Sequence, residues 1–186
     1  MNWQIVHLAD SLPRPWRNGG GVTRELACWP NSDDWIWRMS VAEVAHSGPF
    51  SRFDGVQRWF AVLAGAGVRL SMGEHSYELT CSSAPLCFDG AVPVDCQLLD
   101  GATQDFNLMV RSDQAAAQMR RVSGDLSCTL DAPKTIAVYA INTGAAVQFE
   151  HDSVVIPAHS LAWRSLDAGA AVQVSAADAL WMEIDA

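Results

Sequence analysis

Residues 35–44 read WIWRMSVAEV, and this stretch alternates strictly between two kinds of side chain. Tryptophan, methionine and valine occupy the odd positions from 35 to 41, whereas Arg38 and Ser40 stand at even positions between smaller apolar residues. Successive side chains of a β-strand point to opposite faces, so a period of two predicts a strand. We therefore expect one face of this strand to be aromatic and the other to carry Arg38 and Ser40.

Short runs with the same period continue along the chain, and Gly, Pro, Asp and Ser separate them. In residues 58–63, Arg58 shares one face with Phe60 and Val62. Further strands are predicted at residues 68–72 and 76–79, which form a hairpin around Gly73, and at residues 86–88, 94–99 and 105–111. The composition of residues 113–121 predicts the one helix. The chain is thus expected to be an all-β protein with few short helices.

The second half of the chain repeats the strand pattern of the first half at an offset of about 75 residues. The run FAVL at residues 60–63, for example, corresponds to IAVY at residues 136–139. A true duplication predicts two small β-barrels or jelly rolls, because closure removes exposed sheet edges. The domains would be residues 1–115, with the ligand site, and residues 116–186, with a structural role; strands could exchange between the halves. Two alternating patterns also align by chance, which is the other interpretation.

Composition restricts the class of protein. The 186 residues carry a formal net charge of −9, which argues against nucleic acid as a partner because phosphate binding requires a basic stripe. We find no run of 18 apolar residues and no basic start followed by an apolar segment, so neither a membrane span nor a signal peptide is expected. Five cysteines without C-x-x-C spacing predict free thiols in a reducing cytoplasm.

A glycine-rich segment, PRPWRNGGGVTRE at residues 13–25, is the first candidate ligand-binding element. Trp16 can stack on a planar ligand and Arg17 can bind an anion. Asn18 and the backbone N–H groups of residues 19–21, which include Gly19 and Gly20, can form an anion-binding nest. The alternative interpretation is a turn between two strands with an exposed basic rim.

Two arginines on predicted strand faces are the second candidate. Arg58 and Arg38 each lie on a face with apolar neighbours, and a buried guanidinium group requires a negative partner. That partner is either a carboxylate of the protein or a bound anion; Glu25, Glu43 and Asp105 are the internal candidates. Ser40, Asp105, Asn107 and Arg111 are predicted to orient the ligand. For residues 105–111 the other interpretation is a polar face that meets water opposite Phe106, Leu108 and Val110.

Catalytic and metal-binding patterns are weak in this sequence. Its histidines show no H-x-H spacing; they are His7, His46, His75, His151 and His159. There is no G-x-S-x-G motif, and the glycine runs lack the strand-to-helix context of a phosphate-binding loop. We therefore predict no catalytic residue, no metal and no cofactor.

Four segments resemble the HutD/Ves family. In chain order they read PWRNGGGVTRE (residues 15–25), WRMSVA (37–42), GPFSRFDG (48–55) and DFNLMVR (105–111). The resemblance implies a bicupin fold, that is, two cupin-like jelly-roll barrels in one chain. It also implies a small cytoplasmic protein, linked to histidine utilisation or to stress, that binds a pathway intermediate such as urocanate or formylglutamate and regulates flux. No established catalytic activity accompanies the resemblance.

The residues and the resemblance together favour a non-catalytic protein that binds a small anionic metabolite. The alternative is a cupin-type enzyme, metal-dependent or a cofactor-free isomerase or lyase, that acts on a small acidic substrate. A third interpretation is an interaction module whose tryptophan-rich strands pair in a homodimer.

Overall fold

The computed structural model describes residues 2–150 and 152–185. Within these residues the chain forms strands almost throughout, and its one helix is the 3-10 turn Leu8–Asp10. The strands are β1 Gln4–His7, β2 Pro13–Pro15, β3 Gly21–Trp29, β4 Trp37–Val44, β5 Gly48–Pro49, β6 Val56–Ala64, β7 Val68–Met72, β8 His75–Leu79, β9 Leu86–Asp89, β10 Asp95–Leu98, β11 Thr103–Arg111, β12 Ala116–Thr129, β13 Lys134–Ala140, β14 Ala145–Phe149, β15 Asp152–Ile156, β16 Ser160–Leu166 and β17 Ala171–Asp185. The predicted all-β class is confirmed. No helix in the part of the chain described here is long and apolar enough to cross a membrane.

The chain divides into two compact units. One unit is Leu12–Gln114, and the other consists of the described residues of Met1–Ser11 and Ala115–Ala186. Residues 2–11 group with the second half because β1 pairs antiparallel with β16, with Gln4 opposite Trp163. The sequence-based division differs at this point, because it placed the N-terminal segment with residues 12–115.

The Leu12–Gln114 unit is built from two sheets. The larger has the strand order β2-β3-β4-β11-β6-β9 and the smaller the order β5-β10-β7-β8. Phe60 and Val62 of β6 belong to one apolar cluster with Leu70 of β7 and Cys96 of β10. The face of β6 that carries Phe60 and Val62 is therefore the core-facing one, and by the alternation of a strand Arg58 shares it.

Both faces of β11 are buried. Phe106, Leu108 and Val110 have 0% exposed surface, and on the other face Asp105 has 0% and Asn107 has 6%. The interpretation in which this second face meets water is therefore wrong for Asp105 and Asn107.

The unit of the second half holds a seven-stranded sheet with the path β1-β16-β13-β17-β14-β15 and with β12 paired to β17. The helix predicted for residues 113–121 is wrong, because β12 runs through most of this segment. Ala117 and Met119 are buried while Gln118 and Arg120 are exposed, which is the period of a strand. Pairing with β17 outweighs the helix propensity of Ala, Gln, Met and Arg.

Candidate ligand-binding site

Three adjacent strands of the larger sheet bring the predicted polar residues onto one face. The registers of β4, β11 and β6 align them in three rows: Arg38, Met109 and Arg58; Ser40, Asn107 and Phe60; Ala42, Asp105 and Val62. We call Arg38, Ser40, Arg58, Asp105 and Asn107 the inner-face cluster. Residues from three distant segments meet here because each strand places alternate side chains on the same face.

Arg58 lies at the centre of the cluster and is 5% exposed. Its Nη2 donates to Asn107 Oδ1 at 3.0 Å, and its Nη1 donates to the carbonyl oxygen of Ser51 at 3.3 Å. Three aromatic rings surround the guanidinium carbon at 5.1 to 5.7 Å; they belong to Phe50, Phe53 and Phe88. Its Nε has no hydrogen-bond partner among the described residues.

No carboxylate of residues 2–150 and 152–185 forms an ion pair with Arg58. Burial lowers the pKa of Arg58 to about 10, and the positive charge of Arg38 adds to the effect. Both causes disfavour the charged form of Arg58, and no negative side chain compensates its charge in the described part of the chain.

Arg38 is less enclosed, with 23% of its side chain exposed. Its Nη1 lies 3.9 Å from Glu25 Oε2, a long ion pair, and its Nη2 contacts Met109 Sδ at 3.7 Å. Burial lowers the pKa of Arg38, and Glu25 opposes that shift. Glu25 also accepts a hydrogen bond from Ser32 at 2.8 Å, so the carboxylate that faces Arg38 is already partly engaged.

The other predicted internal partners do not reach the arginines of the cluster. Glu43 pairs with Arg24, with 3.3 Å between Oε1 and Nε. Among the described residues Asp105 makes no ion pair; its Oδ2 accepts a hydrogen bond from Thr103 Oγ1 at 2.8 Å, and its Oδ1 has no partner. The inner-face cluster therefore carries an excess of positive charge next to an isolated carboxyl group.

Burial raises the pKa of Asp105 to about 7, although the hydrogen bond from Thr103 acts in the opposite direction. Cys96 of β10 is the nearby titratable group from the other sheet. Its pKa is raised to about 12, first by burial and then by the negative charges of Asp105 and Asp95. Asp105 is therefore poised to change its protonation state close to neutral pH.

Trp16 approaches the cluster through aromatic contacts. Its ring stands edge-to-face on Phe50 with 6.2 Å between centroids, and Phe50 in turn contacts Phe60 at 5.8 Å. Its Nε1 donates to Thr23 Oγ1 at 2.7 Å, which fixes the ring orientation. Trp16 thus lies one aromatic ring away from Arg58, because Phe50 contacts both.

The glycine segment forms a tight turn between β2 and β3. Gly19 has a φ of +70° and donates its N–H to the carbonyl of Trp16 at 3.0 Å, while Gly20 donates its N–H to Asn18 Oδ1 at 3.0 Å. A Cβ on Gly21 would lie 2.3 Å from the carbonyl oxygen of Glu43. In the predicted nest of Asn18 and the N–H groups of residues 19–21, the Gly19 and Gly20 donors and the Asn18 acceptor are thus engaged within the turn.

Arg17 and Asn18 are exposed in this turn, which agrees with the interpretation of an exposed rim. Arg111 lies at the end of β11, where its Nε donates to the carbonyl oxygen of Trp35 at 2.8 Å and its Nη2 lies 3.5 Å from Asp34. The Trp35 ring is 5.6 Å from Arg111 and 5.4 Å from Arg38. Arg111 therefore holds the segment before β4 against the outer side of Arg38.

Sequence reasoning missed the aromatic surroundings of Arg58. Phe50 and Phe53 belong to the segment GPFSRFDG and lie in the loop between β5 and β6, and Phe88 belongs to β9. The two phenylalanines of that segment are visible in the sequence, but a loop has no periodicity from which the direction of a side chain can be predicted.

Two open clefts of about 390 and 360 Å³ mark the surface. The first is lined by Phe50, Arg52 and Asp95 among others, and the second by Cys128 and Gln173 among others. Neither lining includes a residue of the inner-face cluster. In residues 2–150 and 152–185, no three His, Cys, Asp or Glu side chains are grouped so that they could hold a metal ion. The fourth histidine of the sequence, His151, lies outside these ranges.

Distant structural relatives define the class of fold. Superposition on Escherichia coli YlbA gives a TM-score of 0.72 at 9% identity, covering 100% of this chain and 91% of YlbA. Superposition on oxalate decarboxylase of Lactobacillus farciminis gives 0.66 at 8% identity, covering 97% and 85%. At such identities the similarity shows the fold alone, and that fold is cupin-like.

Closer relatives define the family. The HutD family model matches residues 9–182. A Pseudomonas putida protein described as an uncharacterised 21.2 kDa protein in the hutC 3′ region is 35% identical over 147 residues, which is 77% of this chain and 76% of that protein. The chain belongs to the HutD family.

Solved structures and a second group of relatives agree with this assignment. HutD from Pseudomonas fluorescens superposes with a TM-score of 0.85 at 28% identity and 98% coverage of both chains. Protein Ves of Cronobacter sakazakii is 42% identical over 106 residues, which is 56% of this chain and 59% of Ves.

Proposed function

We propose that this protein binds a small carboxylate metabolite without converting it, and that binding regulates histidine utilisation. The observation that carries the proposal is Arg58, a buried guanidinium group that no carboxylate of the described residues neutralises. A ligand carboxylate can accept two parallel hydrogen bonds from such a group, a contact that is stronger than one between neutral partners.

Family membership supports the kind of ligand. The chain belongs to the HutD family, and a relative that is 35% identical is described by its place in a hutC 3′ region. Urocanate and formylglutamate, the intermediates that the resemblance implies, both carry carboxylates, and urocanate adds an imidazole ring that could stack on an aromatic side chain.

Four residues of the inner-face cluster and two residues outside it are placed in the proposed site. Arg58 binds the carboxylate, and Arg38, which is partly exposed, receives the ligand at the edge of the cluster. Asn107 orients the guanidinium group of Arg58, and Ser40 lies beside it on the neighbouring strand. Trp16 and Arg111 act indirectly, Trp16 through Phe50 and Arg111 through Trp35.

We further propose a bicupin organisation in which the first half, nominally residues 1–115, carries the ligand site and the second half, nominally 116–186, is structural. The division into two compact all-β units supports this proposal. Three further proposals rest on the sequence: the protein is cytoplasmic, it binds neither nucleic acid nor membranes, and it forms a homodimer.

Calorimetric titration with urocanate and formylglutamate tests the binding function. Saturable binding is expected for the protein, and Arg58→Met should weaken it by roughly tenfold or more, because hydrogen bonds to a charged group contribute about 1.5–3 kcal/mol. Arg69→Met is the matched control, since Arg69 is an exposed arginine of the same unit that pairs with Glu78. Equal affinity in the Arg58 and Arg69 variants, both folded by circular dichroism, would remove Arg58 from the site.

Asp105 favours a second candidate function, an isomerase or lyase of small acids. A buried carboxyl group with a pKa of about 7 suits general acid–base catalysis at neutral pH. Incubation of the protein with either acid in deuterated buffer, followed by proton NMR, separates the two functions. Deuterium incorporation or a new product that disappears in Asp105→Asn would establish the enzyme.

A further inference from the structure

Asp105 and Arg58 lie on either side of Asn107 on the inner face. Asp105 and Asn107 are two residues apart on β11, so their side chains are separated by about 7 Å along the strand. Arg58 Nη2 holds Asn107 Oδ1 at 3.0 Å. A ligand bound to the guanidinium group can therefore extend along β11 towards Asp105.

The surroundings of Asp105 favour its neutral form. Its cross-strand neighbours are Ala42 on β4 and Val62 on β6, and Cys96 faces it from β10. The charged groups of the same sheet face, Arg38, Arg58 and Glu25, make no ion pair with it in the described part of the chain. Because no cation compensates its charge, ionisation of this buried carboxyl group is costly.

The two carboxyl oxygens of Asp105 have different surroundings. Thr103 Oγ1 donates to Asp105 Oδ2, so Oδ2 is an acceptor. The proton of the neutral acid then belongs on Oδ1, which is fully buried and has no partner among the described residues. An O–H group in that position is a hydrogen-bond donor without an acceptor, on the same sheet face as Arg58 and two rows away from it.

We propose that Asp105 enters the ligand complex as a neutral acid and donates a hydrogen bond from Oδ1 to a second oxygen of the ligand. The site would then select small acids that carry two acceptor groups, such as dicarboxylates, with one carboxylate on Arg58 and the other at Asp105. This inference rests on the proposed binding function. It also predicts that the site takes up a proton when the ligand binds above neutral pH.

The proton uptake follows from the requirement for a neutral Asp105. Below the pKa of Asp105 the group already carries its proton, so binding exchanges none. Above that pKa the free site must first be protonated, and the apparent affinity falls by about tenfold for each further pH unit. An ionised Asp105 that accepted a hydrogen bond from the ligand would give the opposite pH dependence.

Calorimetry with formylglutamate between pH 6 and pH 9, in buffers of different ionisation enthalpy, measures the uptake. The carboxylates of this probe stay ionised throughout the range. Uptake should rise from near zero at the lowest pH towards one proton. Formylnorvaline, which lacks the second carboxylate, should bind more weakly and without uptake. Asp105→Asn keeps a donor at this position and should bind formylglutamate with the low-pH affinity at every pH.

Two variants and one spectrum make the outcomes decisive. Asp105→Val, which removes the donor, should bind formylglutamate weakly at every pH. Carbon NMR of the Asp105 carboxyl group in the free protein should show titration near neutral pH; titration below about pH 5 would overturn the inference without any ligand. Formylglutamate binding without proton uptake would overturn the inference and leave the proposed function standing. Absence of binding by both probes would overturn the inference, and the titration with urocanate would then decide the proposed function separately.

Discussion

At the scale of single residues, opposite charges on one sheet face do not pair. Arg58 and Asp105 are both buried, yet Arg58 is bonded to Asn107 and Asp105 to Thr103. An ion pair would move both pKa values towards stronger ionisation, whereas burial moves each of them towards the neutral form. Two buried groups held apart in this way reduce stability and leave each available to a third group.

The pH dependence of folding tests this arrangement. The pKa of Asp105 is raised from 3.8 to about 7, so the native state binds its proton more tightly than the unfolded state does. Stability from this group is complete below the unfolded pKa and is lost as the pH rises to the folded pKa, by up to about 4 kcal/mol. In Asp105→Asn this loss should be absent. Urea unfolding at pH 5 and pH 8 measures both proteins.

The variant should therefore unfold at a higher urea concentration than the wild type at pH 8, and the difference should be smaller at pH 5, where only part of the stability from Asp105 is lost. Asp95→Asn provides a control, because Asp95 is an exposed aspartate at the start of β10. Equal slopes of stability against pH in wild type and Asp105→Asn would show that Asp105 titrates in its ordinary range.

At the scale of elements, the strands could be predicted and their surroundings could not. A period of two was sufficient to place Arg58 with Phe60 and Val62, and Asp105 with Asn107, because a strand has only two faces. It could not place Phe50 or Phe53, whose loop has no period. The same limit explains why the role of Asn18 was not predicted: its side chain lies in a turn, where it accepts a hydrogen bond from the N–H of Gly20.

β12 shows the second limit of the sequence. Its residues favour a helix by intrinsic propensity, but the long pairing with β17 determines the outcome. That pairing depends on residues about 60 positions away, so no local pattern reports it. Gly124, with a φ of +99°, stands where the register of the pair shifts.

The pairing of β3 with β4 depends on Gly21. A Cβ at this position would lie 2.3 Å from the carbonyl oxygen of Glu43, a backbone atom that cannot move aside without breaking the strand register. Gly21→Ala should therefore reduce the free energy of unfolding by about 2 kcal/mol or more. Gly48→Ala is the matched control, because nothing lies within 4 Å of its ideal Cβ and its φ is not positive.

Urea unfolding of both glycine variants gives the comparison. Gly48→Ala should stay within about 0.5 kcal/mol of the wild type. If Gly21→Ala were equally neutral, close backbone approach would not be the reason for the third glycine of the run.

At the scale of the whole molecule, chain order and compact units do not coincide. The net charge of −9 and the all-β pattern were readable from composition and period, and the family from four segments. The sequence did not predict that β1 belongs to the unit of the second half, because β1 and its partner β16 are separated by most of the chain. The short β1 contributes four residue pairs to that edge.

Removal of residues 1–11 tests the role of this segment in the second unit. Besides the β1–β16 ladder, the segment donates Leu8 N–H to the carbonyl of His159 at 2.9 Å and joins His7 Nδ1 to Ser160 Oγ at 2.9 Å. Its loss would leave the backbone groups of β16 unpaired on one side and remove the buried side chain of Leu8. We expect the deletion to lower the melting temperature of the protein. We also expect amide exchange to accelerate more in β16 than in the β14–β15 hairpin, which pairs at the other end of the same sheet.

Leu12→Ser, at a position that is 83% exposed, should leave both quantities unchanged. Unaltered exchange in β16 after the deletion would mean that this strand is stabilised by its pairing with β13 alone, and that the N-terminal segment is a peripheral addition to the unit.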